Sequence, residues 1–194
     1  MKRILIALAL LAAVQVADAQ VKSPAAAAKA VTSAEAASKD AKKAAKVATW
    51  VKLAQSYMDA YNAPAGNAWI GATAQELSLL MGSEKPLSET QVELNGTPYL
   101  KVSYSNKDLY YGQDLKLAMI IVTQPVVEDA LAKSFEAWKK AYEVDAKQSK
   151  VKDINAGLAS IAQKYVGDAY NAYQFGDLAK ASKLFAAAAE VSAT

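Results

Sequence analysis

Residues 165–188, YVGDAYNAYQFGDLAKASKLFAAA, decide the fold. Tyr165, Asp168 and Ala169 lie at helical spacing, Ala172 and Tyr173 follow, and Gly176-Asp177 interrupts. Ala181, Phe185 and Ala188 then resume the period. Large and small residues so spaced describe two antiparallel helices whose aromatic knobs drop into alanine-lined gaps. A second copy of the pattern is split in two. It opens with Trp50-x2-Leu53-Ala54-x2-Tyr57 and resumes far downstream with Ser134-x3-Trp138-x2-Ala141-Tyr142. Helix pairs of this kind stack, and stacks build surfaces on which other proteins dock.

The sequence between the halves is of another kind. Alanine is common throughout the chain, yet none occurs from Gln75 to Leu117. Outside that gap Ala, Lys, Glu and Leu favour helix. Inside it Val, Tyr, Thr, Asn and Gly favour strands and turns. Residues 66–124 therefore read as an insertion into a split first unit, 41–65 with 125–148, followed by a second unit over 150–194. Within the insertion, Thr73-x-x-Glu76 is a capping box that opens a short helix over 74–81, closed by Gly82. Asn95-Gly96 predicts a hairpin between strands 91–94 and 98–103. A third strand is expected over 108–111 and a fourth over 115–123. The apolar run Leu117 to Val122 predicts a central or helix-covered strand, and Pro98 predicts an edge position for its own. The fold class is thus mainly α, antiparallel helix pairs with a small antiparallel sheet inserted.

The N-terminus has the form of a secretory signal. Lys2 and Arg3 precede an apolar stretch from Ile4 to Val16, and Ala17-Asp18-Ala19 supplies a small-x-small cleavage site. Cleavage after Ala19 is expected, with localisation to the periplasm or outside the cell. The apolar stretch is shorter than the roughly 20 residues of a spanning helix, so no integral membrane segment is expected in the mature chain. Losing Lys2, Arg3 and Asp18 lowers the formal net charge from +3 to +2, too little to suggest nucleic acid as a partner. The chain has no cysteine, so an exported form has neither disulfides nor a lipid anchor on cysteine. It has no histidine, which removes the commonest general base and metal ligand. No catalytic residue, cofactor or metal is expected.

Residues 20–40 form an Ala/Lys-rich leader in which Ser23-Pro24 starts a helix to about Ser38. Its few large apolar groups suggest a solvated capping helix or a frayed leader. Asp40 caps one long helix, 41–62, whose Val47, Trp50, Val51, Ala54, Tyr57, Met58 and Tyr61 share a face. Pro125 restarts helix, with Glu128 and Asp129 in its first turn. Val127, Leu131, Phe135, Trp138 and Tyr142 form its buried stripe, and Glu136 with Lys140 reads as a surface ion pair. A polar linker, 145–152, leads to helices over 153–175 and 177–191. On the last, Leu184, Phe185 and Val191 have no successor to cover them. The chain is expected to continue beyond Thr194 with further pairs, or to self-associate through this helix.

The pattern resembles the tetratricopeptide repeat. Trp50, Leu53, Ala54 and Tyr57 match its first helix in order and spacing, and Ser134, Trp138 and Ala141 its second. The later copy matches through Tyr165, Ala169, Gly176, Ala181, Phe185 and Ala188, with Asp168 where a leucine is usual. The chain as a whole is similar to exported tetratricopeptide-repeat proteins of Gram-negative bacteria with an interrupted first repeat. The resemblance implies a non-catalytic interaction scaffold whose peptide or protein partner lies in the groove lined by the first helix of each pair. Carried onto this sequence, the groove residues are Val51, Gln55, Met58 and Asp59, then Val166, Tyr170, Tyr173 and Gln174. The alternative is a small-ligand or glycan-binding protein in which Tyr99, Tyr104, Tyr110 and Tyr111 of the insertion stack on sugar rings. Adjacent Tyr110 and Tyr111 point to opposite faces of a strand, so at most one joins such a platform.

Overall fold

A computed structural model describes residues 21–80 and 84–194. The expected signal segment and the helix stop at Gly82 lie outside the described residues. The chain is mainly α with a small antiparallel sheet, and the elements follow the order α1 to α4, β1 to β4, α5 to α7. Helix α1 (Pro24–Lys39) starts where Ser23 Oγ accepts the Ala26 N–H, with proline in the first turn. Asp40 caps a single turn, α2 (Ala41–Ala44), by accepting from Lys42 and Lys43 N–H. The expected unbroken helix from 41 to 62 does not form. Lys46 is extended, at φ −104° and ψ 126°, and α3 runs Val47–Asn62. The Trp50 indole N–H donates to Ala44 O at 2.8 Å and so occupies a carbonyl that a continuous helix would use for itself.

Helix α1 is solvated on its outer side only, and its inner face packs. Ala27, Val31 and Ala34 are buried against α3, and the Tyr57 hydroxyl donates to Glu35 at 2.6 Å. Alanines bury little area each, but they let two backbones approach closely. Helix α5 (Ala130–Val144) starts five residues after the expected Pro125. Asp129 sits in the left-handed region at φ 54°, so Glu128 and Asp129 precede the helix and Asp129 makes no side-chain cap bond. Helix α5 packs directly on α3: Ser134 Oγ donates to Ala54 O at 2.9 Å inside the core. Trp138, 3% exposed, belongs to the same cluster as Leu53, Ala54 and Tyr57. Tyr142, expected in this stripe, is 64% exposed in the last turn of α5. Glu136 pairs with Lys139, not Lys140, which pairs with Glu143.

Asp145 organises the turn into α6 (Val151–Gln174), its carboxylate accepting from Ser149 N–H and Oγ and from Lys150 N–H. Helix α6 meets α5 where Gly157 lies on Trp138; a Cβ at Gly157 would fall 2.2 Å from the indole Cε2. Gly176, at φ 75°, ends α6, and Asp177 caps α7 (Leu178–Ser192) by accepting from Lys180 N–H. Val191, expected uncovered, is buried in the main core.

The insertion begins with α4 (Ala74–Leu80), whose capping box forms reciprocally between Thr73 and Glu76. Strands β1 (Ser88–Leu94), β2 (Thr97–Ser103), β3 (Lys107–Tyr111) and β4 (Leu117–Val122) follow in sheet order. Asn95 and Gly96, both at positive φ, make the two-residue turn between β1 and β2. Two placements differ from expectation. The apolar β4 is an edge strand, its outer side covered by Gly71 and Ala72, which bond with Leu117, and by Asn171 of α6. Strand β2 is interior, but β3 pairs with it only from Leu100, so Pro98 lies beyond the shared ladder. A second core of Leu77, Val102, Leu109, Tyr111 and Leu117 fills the face under α4. Lys107, fully buried, sends its ammonium to Glu84 at 2.5 Å and over the Tyr104 ring.

Candidate functional site: an exposed aromatic face on the last helix pair

The eight groove positions divide by helix. On α3 the groove is closed by α1: Val51 is buried and Met58 packs against the core. Asp59 is held by Lys22, which arrives from the segment before α1, at 2.6 Å. Only Gln55 stays exposed. The reason is the small-residue face of α1, which lies along the side of α3 that the resemblance assigns to a ligand.

On α6 the corresponding side is open. Val166, Tyr170 and Tyr173 are 36%, 58% and 53% exposed, while Gln174 is half-buried. Their spacing of four and three residues puts them on one stripe, beside the face that carries the buried Ile161, Ala169 and Ala172. Helix α7 extends the surface with Leu178 and Phe185, 62% and 38% exposed. Phe185, read from the sequence as a packing residue, meets Tyr170 edge to face at 5.4 Å between centroids. The remaining repeat-packing positions are buried or half-buried, apart from Gly176, whose role is its positive φ.

The sheet braces this face from one end. Asn95, at the hairpin tip, donates its amide to Gln174 O (3.0 Å) and to Tyr173 O (3.1 Å), which also accepts the Gly176 N–H, so the hairpin ties down the last turn of α6. Phe175 meets the Tyr110 ring at 5.4 Å. Between hairpin and helix turn lies a shallow depression of about 540 Å³ lined by Asn95, Thr97, Tyr173, Gln174, Gly176 and Leu178. The sequence signalled the hairpin through Asn95-Gly96 but gave no sign that the asparagine also caps a helix far along the chain.

Asp168 stands where the resemblance led one to look for leucine. It accepts the Tyr61 hydroxyl at 2.8 Å and so ties α6 to α3. Burial pushes its carboxyl above the usual range, against the pull of the Tyr61 bond and of Lys180 and Lys164. Burial and the Asp168 charge together push the Tyr61 hydroxyl strongly upward. On the other pair of helices, burial and then the Glu35 bond push Tyr57 up to about 12. These shifts belong to interhelix ties, not to a reactive pair facing solvent.

Among the insertion tyrosines Tyr99 is half-buried and meets Tyr110 edge to face at 6.4 Å. Tyr110 and Tyr111 are buried on opposite faces of β3, and Tyr104 lies at the second core. Among the described residues no cluster of three or more Asp or Glu side chains has metal-binding geometry, and no helix is long and apolar enough to cross a membrane. No family model, no curated protein and no solved structure matches this chain.

Proposed function

We propose that this chain is a non-catalytic, exported interaction scaffold of tetratricopeptide type, and that the outer face of α6 and α7 is where a protein or peptide partner docks. One observation carries the reading. Val166, Tyr170 and Tyr173 stand exposed in one stripe on α6, while Val51 and Met58 of α3 are covered by the chain's own first helix. An exposed apolar stripe of this size on a rigid helix pair marks a contact surface. Tyrosine suits such a surface because it offers large area and a polar tip at small entropic cost. The export reading rests on Lys2, Arg3 and the Ala17-Asp18-Ala19 site in the sequence.

The test uses the tagged full chain, expressed in a Gram-negative host, to retain proteins from an envelope extract. Wild type should hold a defined partner, and Tyr170→Ser with Tyr173→Ser should release it while helical circular dichroism is unchanged. Identical retention by the folded double variant would refute the assignment of this face.

A further inference from the structure

We propose that the occupant of the α6–α7 face is a second copy of this chain, docked through antiparallel α7 helices. This rests on the reading of that face as a docking surface and names its partner. The chain's own repetition says what such a face accepts. Ser134, Trp138 and Ala141 recur as Ala181, Phe185 and Ala188, so Trp138 and Phe185 hold the same position in the two pairs. Trp138 is covered by the next helix, which presents Gly157 to it without a side chain. Phe185 meets Tyr170 edge to face and stays 38% exposed, against 3% for Trp138. A helix offering small residues would complete it in the same way.

Helix α7 itself exposes such residues. Ser182, Ala186, Ala189 and Ala193 follow one another at three- and four-residue spacing, all exposed, beside Phe185. Of the large side chains, Leu178 opens that surface and Phe185 stands at its middle, and beyond Phe185 the stripe holds only small ones. A surface large at one end and small at the other complements itself only when a second copy runs antiparallel. Phe185 of each copy then falls over Ala189 of the other.

Charge gives the same orientation. Lys183 and Glu190 are both exposed, two helical turns apart on the same flank of the stripe. Among the described residues neither has a salt-bridge partner. In an antiparallel pair, Lys183 of each copy meets Glu190 of the other, twice by symmetry. A parallel pair would instead set Phe185 against Phe185 and exchange no charge.

Sedimentation velocity of the full processed chain, over roughly a hundredfold range of concentration, reads the equilibrium directly. The expected result is a monomer–dimer transition. Phe185→Ser should raise the dissociation constant about tenfold or more. Lys183→Glu alone should weaken the dimer, and Lys183→Glu with Glu190→Lys should restore it, with circular dichroism confirming an intact fold in each. A monomer at every concentration overturns self-pairing, as does a dimer indifferent to all three variants. If wild type is monomeric but Phe185→Ser still abolishes partner retention, the docking-face reading survives alone. If Phe185→Ser changes neither property, both readings fall.

Discussion

Gly157→Ala separates the packing described here from any looser arrangement, because two effects of opposite sign compete at that position. Gly157 lies in the interior of α6, and replacing an interior helical glycine by alanine ordinarily stabilises by about 1 kcal/mol. Here the new methyl would sit 2.2 Å from Trp138 Cε2, 2.4 Å from Cζ2 and 2.6 Å from Nε1. The obstacle is a rigid bicyclic ring, 3% exposed, so it has no flexible end to move aside. Overpacking of this kind costs typically 1–3 kcal/mol, and expelling the ring altogether costs about 3–5 kcal/mol. The clash should therefore outweigh the helix gain, leaving a net loss of up to roughly 2 kcal/mol. Urea unfolding followed by far-ultraviolet circular dichroism measures it. Trp138→Leu should be destabilising alone yet should offset part of the Gly157→Ala loss in the double variant, since the smaller side chain makes room. Stabilisation by Gly157→Ala would refute the contact and the Phe185 argument built on it.

Further outcomes follow from single contacts. Asn95→Gly keeps the positive-φ turn but removes both amide bonds to the end of α6, so it should cost about 1 kcal/mol and speed hydrogen exchange in the last turn of α6 rather than in the sheet. Asp168→Asn should be as stable as wild type, or more so, at neutral pH. The folded carboxyl titrates above its ordinary value, so its contribution is most favourable in acid and declines as pH rises through the folded pKa. The neutral amide can still accept the Tyr61 hydroxyl, and its advantage should shrink as pH falls through that range; a large loss at neutral pH would contradict burial as the main cause. The Tyr170 and Tyr173 substitutions should release the partner without changing helical content, as retention from envelope extract will read.

The helices were legible where large side chains set the period. Trp50, Leu53 and Tyr57 on α3, and Leu131, Phe135 and Trp138 on α5, announce their faces through bulk. Helix α1 was misread because hydrophobic patterning counts area, while Ala27, Val31 and Ala34 act by letting backbones approach. That one error also hid the closure of the α3 half of the groove. The start of α5 was misplaced because Pro125, Glu128 and Asp129 are all favourable first-turn residues. The left-handed backbone at Asp129 is a tertiary outcome that no local preference foretells. Strand β4 reads as central because its edge is protected by Gly71, Ala72 and Asn171, residues distant in sequence. The exposed stripe on α6 was visible as Val166, Tyr170 and Tyr173, flanking the face of Ala169 and Ala172. So was the open side of Phe185, since an aromatic at that repeat position is buried only if another helix follows to cover it.

That dependence makes stability and association one question. Completing the burial of a leucine or phenylalanine yields about 1.5–3 kcal/mol from full exposure, and less for Phe185, which Tyr170 already shields in part. Phe185 from two copies, with the small residues that cover it, would together return a few kcal/mol at most on pairing, still a sizeable share of the stability of a small domain. A partner that binds only the folded form raises its melting temperature with concentration. Wild-type protein should therefore melt higher as it is concentrated, and Phe185→Ser should melt at one temperature throughout. Phe185→Ser should keep most of the wild-type stability when both are dilute: at 38% exposure the ring is only partly packed on its own subunit, so the loss should stay well below the roughly 3–5 kcal/mol of emptying a core aromatic site. If instead Phe185→Ser is strongly destabilised in dilute solution, Phe185 supports the fold of its own subunit, and the open face is not the place where a second copy binds.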